Sequence, residues 1–159
     1  IEATTKLEEV DRPLTDEEAR DLAKLSMDEW NQLMDAVKKI DDFINRESEK
    51  RGLIHVDGKK EFGFDEDRNI MLIDTFGTAD EDRFWEKKAY ENGEMVELSK
   101  ETVRRIYRDS GYHEELTKAR EAGVKKDEEA PIPPLTNEQI ERVSKLYIEM
   151  YERLTGEEF

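Results

Sequence analysis

Residues 53–64 read LIHVDGKKEFGF and residues 70–76 read IMLIDTF, with the polar run DEDRN at 65–69 between them. Both flanks are rich in β-formers and the middle carries turn chemistry, so the stretch predicts an antiparallel hairpin. An isolated hairpin is marginal in water and needs helices or further strands to cover it. The sequence on either side provides helices. Thr15 with Glu18 predicts a capping box, and Ser26 with Glu29 a second helix start. From Trp30 the apolar residues Leu33, Met34, Val37, Ile40 and Ile44 follow a helical period, which Gly52 stops after Lys50 and Arg51. Downstream, Ser99 with Thr102 to Arg108 predicts a helix ended by Gly111, and a short charged helix follows at 113–122. Residues 125–134 read as a connector. Thr136 with Gln139 then opens an amphipathic helix over Ile140, Val143, Leu146, Tyr147, Met150, Tyr151 and Leu154, closed by Gly156. Met27, Trp30, Met34, Tyr147 and Tyr151 are assigned to the core, and residues 1–14 and 77–85 are expected to be irregular. The expectation is an α+β fold in a single domain, 1–159. Its hairpin, part of a larger antiparallel sheet, is packed by helices at 27–51 and 137–155.

Composition narrows the function classes. The 159 residues hold 26 basic and 42 acidic side chains, a net charge of −16, with 43% charged and 35% apolar. The low apolar share raises disorder as an alternative, but the 2 Trp, 5 Tyr and 6 Phe lie mostly in periodic segments, which favours a folded chain. The absence of cysteine excludes disulfides, thiolate metal sites and cysteine nucleophiles. An acidic balance argues against nucleic acid as a partner, because binding phosphates requires Lys and Arg to release counterions. No apolar run reaches the ~18 residues that span a bilayer, and no signal-peptide pattern opens the chain, so neither a membrane nor secretion is expected. A cytoplasmic location follows. The chain opens at Ile1 without Met, which is expected of a fragment.

Chemistry-bearing residues gather at the hairpin. Asp57, Lys59 and Glu61 alternate along the first strand, so a regular pleat places them on one face. Asp74, on the second strand, falls close to opposite Glu61. Facing carboxylates repel unless a cation or proton lies between them, which suits Mg²⁺. The same alternation also describes the solvated side of an ordinary antiparallel sheet, so both readings stand on spacing alone. The acidic run 65–69 lacks the glycine and glutamate of a calcium loop and reads as a turn. His55 is read as pointing away from the Asp57–Glu61 face, as a packed or edge histidine, and His113 as exposed. No catalytic serine triad, P-loop or dinucleotide fingerprint is present.

Three segments together resemble the SAICAR synthetase (phosphoribosylaminoimidazole-succinocarboxamide synthase) family. They are GLIHVDGKKEFG at 52–63, LIDT at 72–75 and DEDRFW at 80–85. The first resembles the family's V/A-D-x-K-x-E-F-G strand and the last its T-P-D-S-S-R-F-W loop. YIEMYERLTG at 147–156 resembles the family's C-terminal helix, and Thr4-Thr5-Lys6 the segment before its central helix. The resemblance implies an ATP-dependent ligase of purine biosynthesis. Such an enzyme joins L-aspartate to the carboxylate of an aminoimidazole ribotide through an acyl phosphate. It implies Glu61 and Asp74 as ligands of Mg²⁺ and the ATP site, Lys59 on the substrate carboxylate and Asp57 at the ribotide site. It further implies Arg83 on the ribotide phosphate, Lys6 in the nucleotide cleft and Asp11 as a substrate-side acid.

Three departures accompany the match. Thr75 stands where many relatives have a second acid, and Glu81 and Asp82 replace two hydroxyl residues beside the implied phosphate site. The family's N-terminal ATP-binding lobe has no counterpart in these residues. The expectation is therefore the C-terminal lobe of a ligase, incomplete by itself. Its exposed apolar cleft would associate with a second copy or with a separate N-terminal lobe. The alternative is a non-catalytic acidic domain of the same fold, kept for assembly or regulation.

Overall fold

The computed structural model describes residues 1–6, 8 and 11–159. Its architecture is α+β, with helices and small antiparallel sheets. The chain forms two compact units, one of Ile1–Phe43 with Glu61–Asp74 and the other of Ile44–Lys60 with Thr75–Phe159.

In the first unit, β1 (Ala3–Thr4) pairs antiparallel with β2 (Pro13–Leu14), so the expected irregular start contains a short ladder. Leu7, Glu9 and Val10 lie outside the described residues. Helix α1 (Asp16–Ala23) opens with the full Thr15–Glu18 capping box. Helix α2 (Met27–Glu49) starts the same way: Glu29 N–H donates to Ser26 Oγ and Ser26 N–H to Glu29 Oε2. Its residues up to Phe43 belong to this unit and the rest to the second. Trp30 is buried, as its position on the apolar stripe predicts, but Met27, the first residue of α2, is 55% exposed. Strands β3 (Leu53–Gly58), β4 (Phe62–Phe64) and β5 (Ile70–Leu72) follow. The 65–69 turn closes the β4–β5 hairpin. Asp65 caps it by accepting from Asn69 N–H and side-chain amide, and Arg68 takes a left-handed φ of 64°.

The predicted first strand does not run unbroken from 53 to 64. Its N-terminal part, β3, pairs in the second unit with β6 (Asp82–Glu86), inside the stretch expected to be a loop. Residues 59–61 link two ladders, so Asp57, Lys59 and Glu61 do not share one pleated strand. Within β3 the register slips between His55 and Asp57, leaving Val56 as an extra residue. Simple alternation would put His55 and Asp57 on the same side. The bulge separates them: His55 lies opposite buried Phe84 and Asp57 opposite exposed Arg83.

Leu53, Phe84, Leu98 and Met150 form the apolar interior of the second unit together with Ile44 and Ala79. Helices α3 (Lys87–Glu91), α4 (Glu101–Asp109), α5 (Tyr112–Glu121) and α6 (Asn137–Thr155) complete it. Helix α6 has the Thr136–Gln139 capping box and ends at left-handed Gly156. Met150 faces inward from it, whereas Tyr151 is 39% exposed. Arg153 fastens α6 to β6 and to the turn after α2, donating to Glu86 Oε2 at 2.5 Å and to the carbonyls of Arg51 and Gly52. Among the described residues, no helix is long and apolar enough to cross a membrane.

Candidate functional site

The two units divide the predicted residues between them, with Asp57, Lys59 and Arg83 in the second and Lys6, Asp11, Glu61 and Asp74 in the first. In the second unit Asp57 and Arg83 are cross-strand partners. Arg83 donates from Nε to Asp57 Oδ1 at 2.7 Å and from Nη2 to Oδ2, a bidentate fork. The Arg83 hydrogen bond holds the Asp57 carboxyl below its ordinary range, and Asp57 in turn raises the guanidinium. Both side chains remain about half exposed, and the fork to Asp57 leaves Nη1 as a further donor. Lys59 is exposed immediately after β3, with its backbone N–H donating to Glu81 O at 3.0 Å.

Beneath this pair lies a charged cluster that the sequence reading missed. Asp82, whose side chain has no solvent exposure, accepts at Oδ1 from Lys60 Nζ at 2.6 Å and from His55 Nε2 at 2.8 Å. Its Oδ2 accepts from Gly77 N–H. Lys60 and His55 are themselves 7% and 3% exposed at the side chain. Burial opposes ionisation of Asp82, but the hydrogen bonds from His55, Lys60 and Gly77 outweigh it and hold the carboxyl below its ordinary value. Asp82 is therefore not an exposed anion beside a phosphate site, as its place in the acidic loop implies, but an internal counter-ion. The sequence did carry one signal. Alternation along 82–86 puts Asp82 on the same side as Phe84, the inward side of β6.

In the first unit Lys6 donates to Glu61 Oε2, joining two residues that lie 55 positions apart in sequence. Glu61 is largely covered, at 15% side-chain exposure. The hairpin register puts Ile73, not Asp74, directly across from Glu61, since Ile73 N–H donates to Glu61 O. Asp74 is one residue further along and exposed. Asp11 is exposed too. Glu61 and Asp74 offer hard carboxylate oxygens of the kind a divalent cation takes. Among the described residues no group of three or more carboxylates or imidazoles forms a complete protein-made cage.

Comparison with known proteins gives one consistent result. The SAICAR synthetase family profile matches residues 1–119. The phosphoribosylaminoimidazole-succinocarboxamide synthase of Thermoplasma volcanium is 52% identical over 159 residues, covering 100% of this chain and 53% of that protein. Its counterpart in Thermoplasma acidophilum is 49% identical with the same coverage. Among solved structures, a SAICAR synthetase (Type-2) in complex with ADP matches with a TM-score of 0.62 at 25% identity, covering 94% of this chain and 47% of that one. The chain spans about half the length of the curated relatives it matches. The motifs, the α+β architecture, the family profile over residues 1–119 and the relatives that cover the whole chain agree: this chain belongs to the SAICAR synthetase family.

Proposed function

We propose that residues 1–159 are the C-terminal catalytic portion of an ATP-dependent carbon–nitrogen ligase of purine biosynthesis. The reaction joins L-aspartate to the carboxylate of carboxyaminoimidazole ribotide and yields SAICAR, ADP and phosphate. An N-terminal ATP-binding lobe, on the parent polypeptide or on a separate chain, completes the cleft, and a cytoplasmic setting suits these substrates. The match at 52% identity over the whole chain carries the reading. The ADP bound by a structural relative supports the nucleotide.

A carboxylate is a poor electrophile, so the chemistry takes two displacements. A ribotide carboxylate oxygen attacks the γ-phosphorus of ATP; the bond to the bridging oxygen breaks and ADP leaves. The aspartate amine then attacks the carbonyl carbon of the acyl phosphate, loses a proton, and inorganic phosphate departs. Catalysis of such steps is chiefly positioning and charge neutralisation. Arg83, fixed by its fork to Asp57, presents its Nη1 edge to the ribotide phosphate. Lys59 pairs with the substrate carboxylate, and Asp11 accepts from a substrate-side donor. Lys6 neutralises Glu61 in the resting chain and serves the nucleotide side. Glu61 and Asp74 are the two carboxylates that would hold Mg²⁺, a hard cation that takes carboxylate oxygens together with water and phosphate oxygens. When bound, Mg²⁺ supplies neutralisation of phosphate charge. The burial of Asp82 removes one of the features that weighed toward a non-catalytic domain.

The test is to measure SAICAR formation by the parent protein with all three substrates, beside a Glu61→Gln, Asp74→Asn double variant. Calorimetry of Mg²⁺–ATP runs in parallel. The expected result is turnover in the wild type that falls by about 100-fold or more in the variant, with loss of nucleotide binding. A folded wild type that forms no SAICAR would sink the ligase reading.

A further inference from the structure

The buried Asp82 cluster adjoins, along the chain, Arg83 and Lys59, which the proposed function places on the ribotide. Asp82 immediately precedes Arg83 in β6, and Lys60 immediately follows Lys59. Each contact of the Asp82 carboxylate reaches a different segment: His55 within β3, Lys60 just beyond it, and Gly77 at the start of the 77–81 loop. That loop is closed on the same residue, with Asp82 N–H donating to Thr78 O at 2.9 Å. Glu81 O receives Lys59 N–H, so the backbone of Lys59 is held by the residue next to Asp82.

Three charged or polar side chains at 7% exposure or less are costly to bury unless they are mutually satisfied. A pair that only had to fill space could be apolar at less cost. What this arrangement adds is direction: two hydrogen bonds on Oδ1 and one on Oδ2 fix the carboxylate, and with it the backbone at Arg83 and at Lys59. Gly58 lets the carboxylate come this close, since a Cβ there would stand 1.7 Å from Asp82 Oδ1.

We propose that Asp82, together with Lys60 and His55, is a positioning element that sets the Asp57–Arg83 fork and Lys59 for ribotide binding. The inference rests on the ligase reading for the identity of the substrate, but the placement of Arg83 can be tested without it.

Lys60→Met keeps the aliphatic stem and removes the charge; Asp82→Asn keeps the shape. Each variant is made in the parent protein for kinetics and in this chain for nitrogen-15 NMR of the Arg83 Nε–H, with folding followed by circular dichroism. For folded variants, kcat/KM for the ribotide is expected to fall by about tenfold or more, with KM for ATP within about twofold of the wild type. The Arg83 Nε–H resonance is expected to shift and to exchange faster with solvent. A role in folding alone would lower the melting temperature and leave both readouts untouched in the folded protein, and that result would overturn the proposal. If Asp82→Asn does not fold, Lys60→Met decides. If the wild type has no ligase turnover, the functional reading fails while the Arg83 resonance still decides the positioning role.

Discussion

At Gly58 the absence of a side chain is a packing requirement. The residue ends β3, opposite Asp82 in the ladder, and an added methyl would stand 1.7 Å from Asp82 Oδ1 and 2.7 Å from Lys60 Nζ. Neither neighbour can withdraw cheaply, because the carboxylate is bound on both oxygens and the ammonium is buried. Gly58→Ala is therefore expected to destabilise the chain by about 3 kcal/mol, at the upper end for overpacking. Gly93→Ala provides the contrast: nothing lies within 4 Å of its Cβ position, and its cost is confined to a φ of +84°. Urea denaturation of the two variants measures this difference. A Gly58→Ala protein as stable as Gly93→Ala would mean that the Asp82 carboxylate is free to move, contrary to its hydrogen bonding.

Among the elements, Arg68 cross-links the β4–β5 hairpin to α2. Arg68, at the turn, donates from Nε to Glu29 Oε1 at 2.6 Å and from Nη2 to Lys24 O, with its guanidinium 4.8 Å from the centre of the Phe64 ring. The Arg68 hydrogen bond, followed by the Ser26 N–H, brings the Glu29 carboxyl from an ordinary 4.5 to about 2. A folded-state pKa below the unfolded value means that the native state favours the ionised form. The stabilisation is complete above about pH 4.5 and disappears as pH falls toward about 2. Asp65 shifts in the same direction through the Asn69 side chain. Glu29→Gln is expected to lower stability at neutral pH and flatten its dependence between pH 4.5 and 2, read from urea midpoints at several pH values. Midpoints falling in parallel for wild type and variant would refute the role of Glu29. The same elements show what the sequence could convey. Thr15–Glu18, Ser26–Glu29 and Thr136–Gln139 act over three residues, so the helix starts were legible, as was the 65–69 turn. The partner of β3 was not, because pairing Leu53 with Glu86 is a long-range choice and the bulge at Val56 leaves no local signature. For the site, motif matches singled out Arg83 and Asp57, whose fork lies within the second unit. At Asp82 the acidic neighbours suggested a solvated loop, which hid the inward alternation it shares with Phe84 along β6.

For the whole molecule, charge sets a condition on stability that individual contacts do not reveal. With 42 acidic and 26 basic side chains, a net charge of −16 persists however completely the cations are paired. The visible ion pairs, such as Lys118–Glu114 and Arg46–Glu47, are mostly exposed, and water and salt leave each of them little net effect. Salt acts on these two contributions unequally. The Debye length shrinks from about 30 Å at 0.01 M to about 10 Å at 0.1 M, which removes much of the long-range repulsion while leaving contacts within 4 Å largely in place. Repulsion among surplus carboxylates is greater in the compact state than in the expanded one, so screening favours folding. Raising NaCl from 10 to 100 mM is expected to raise the melting temperature by about 3 °C or more. Scanning calorimetry at neutral pH gives the value and shows whether the two compact units melt together or separately. A melting temperature that falls with salt would mean that the ion pairs outweigh the repulsion. The buried Asp82–Lys60 pair, which salt screens least, would then be the first to examine by substitution.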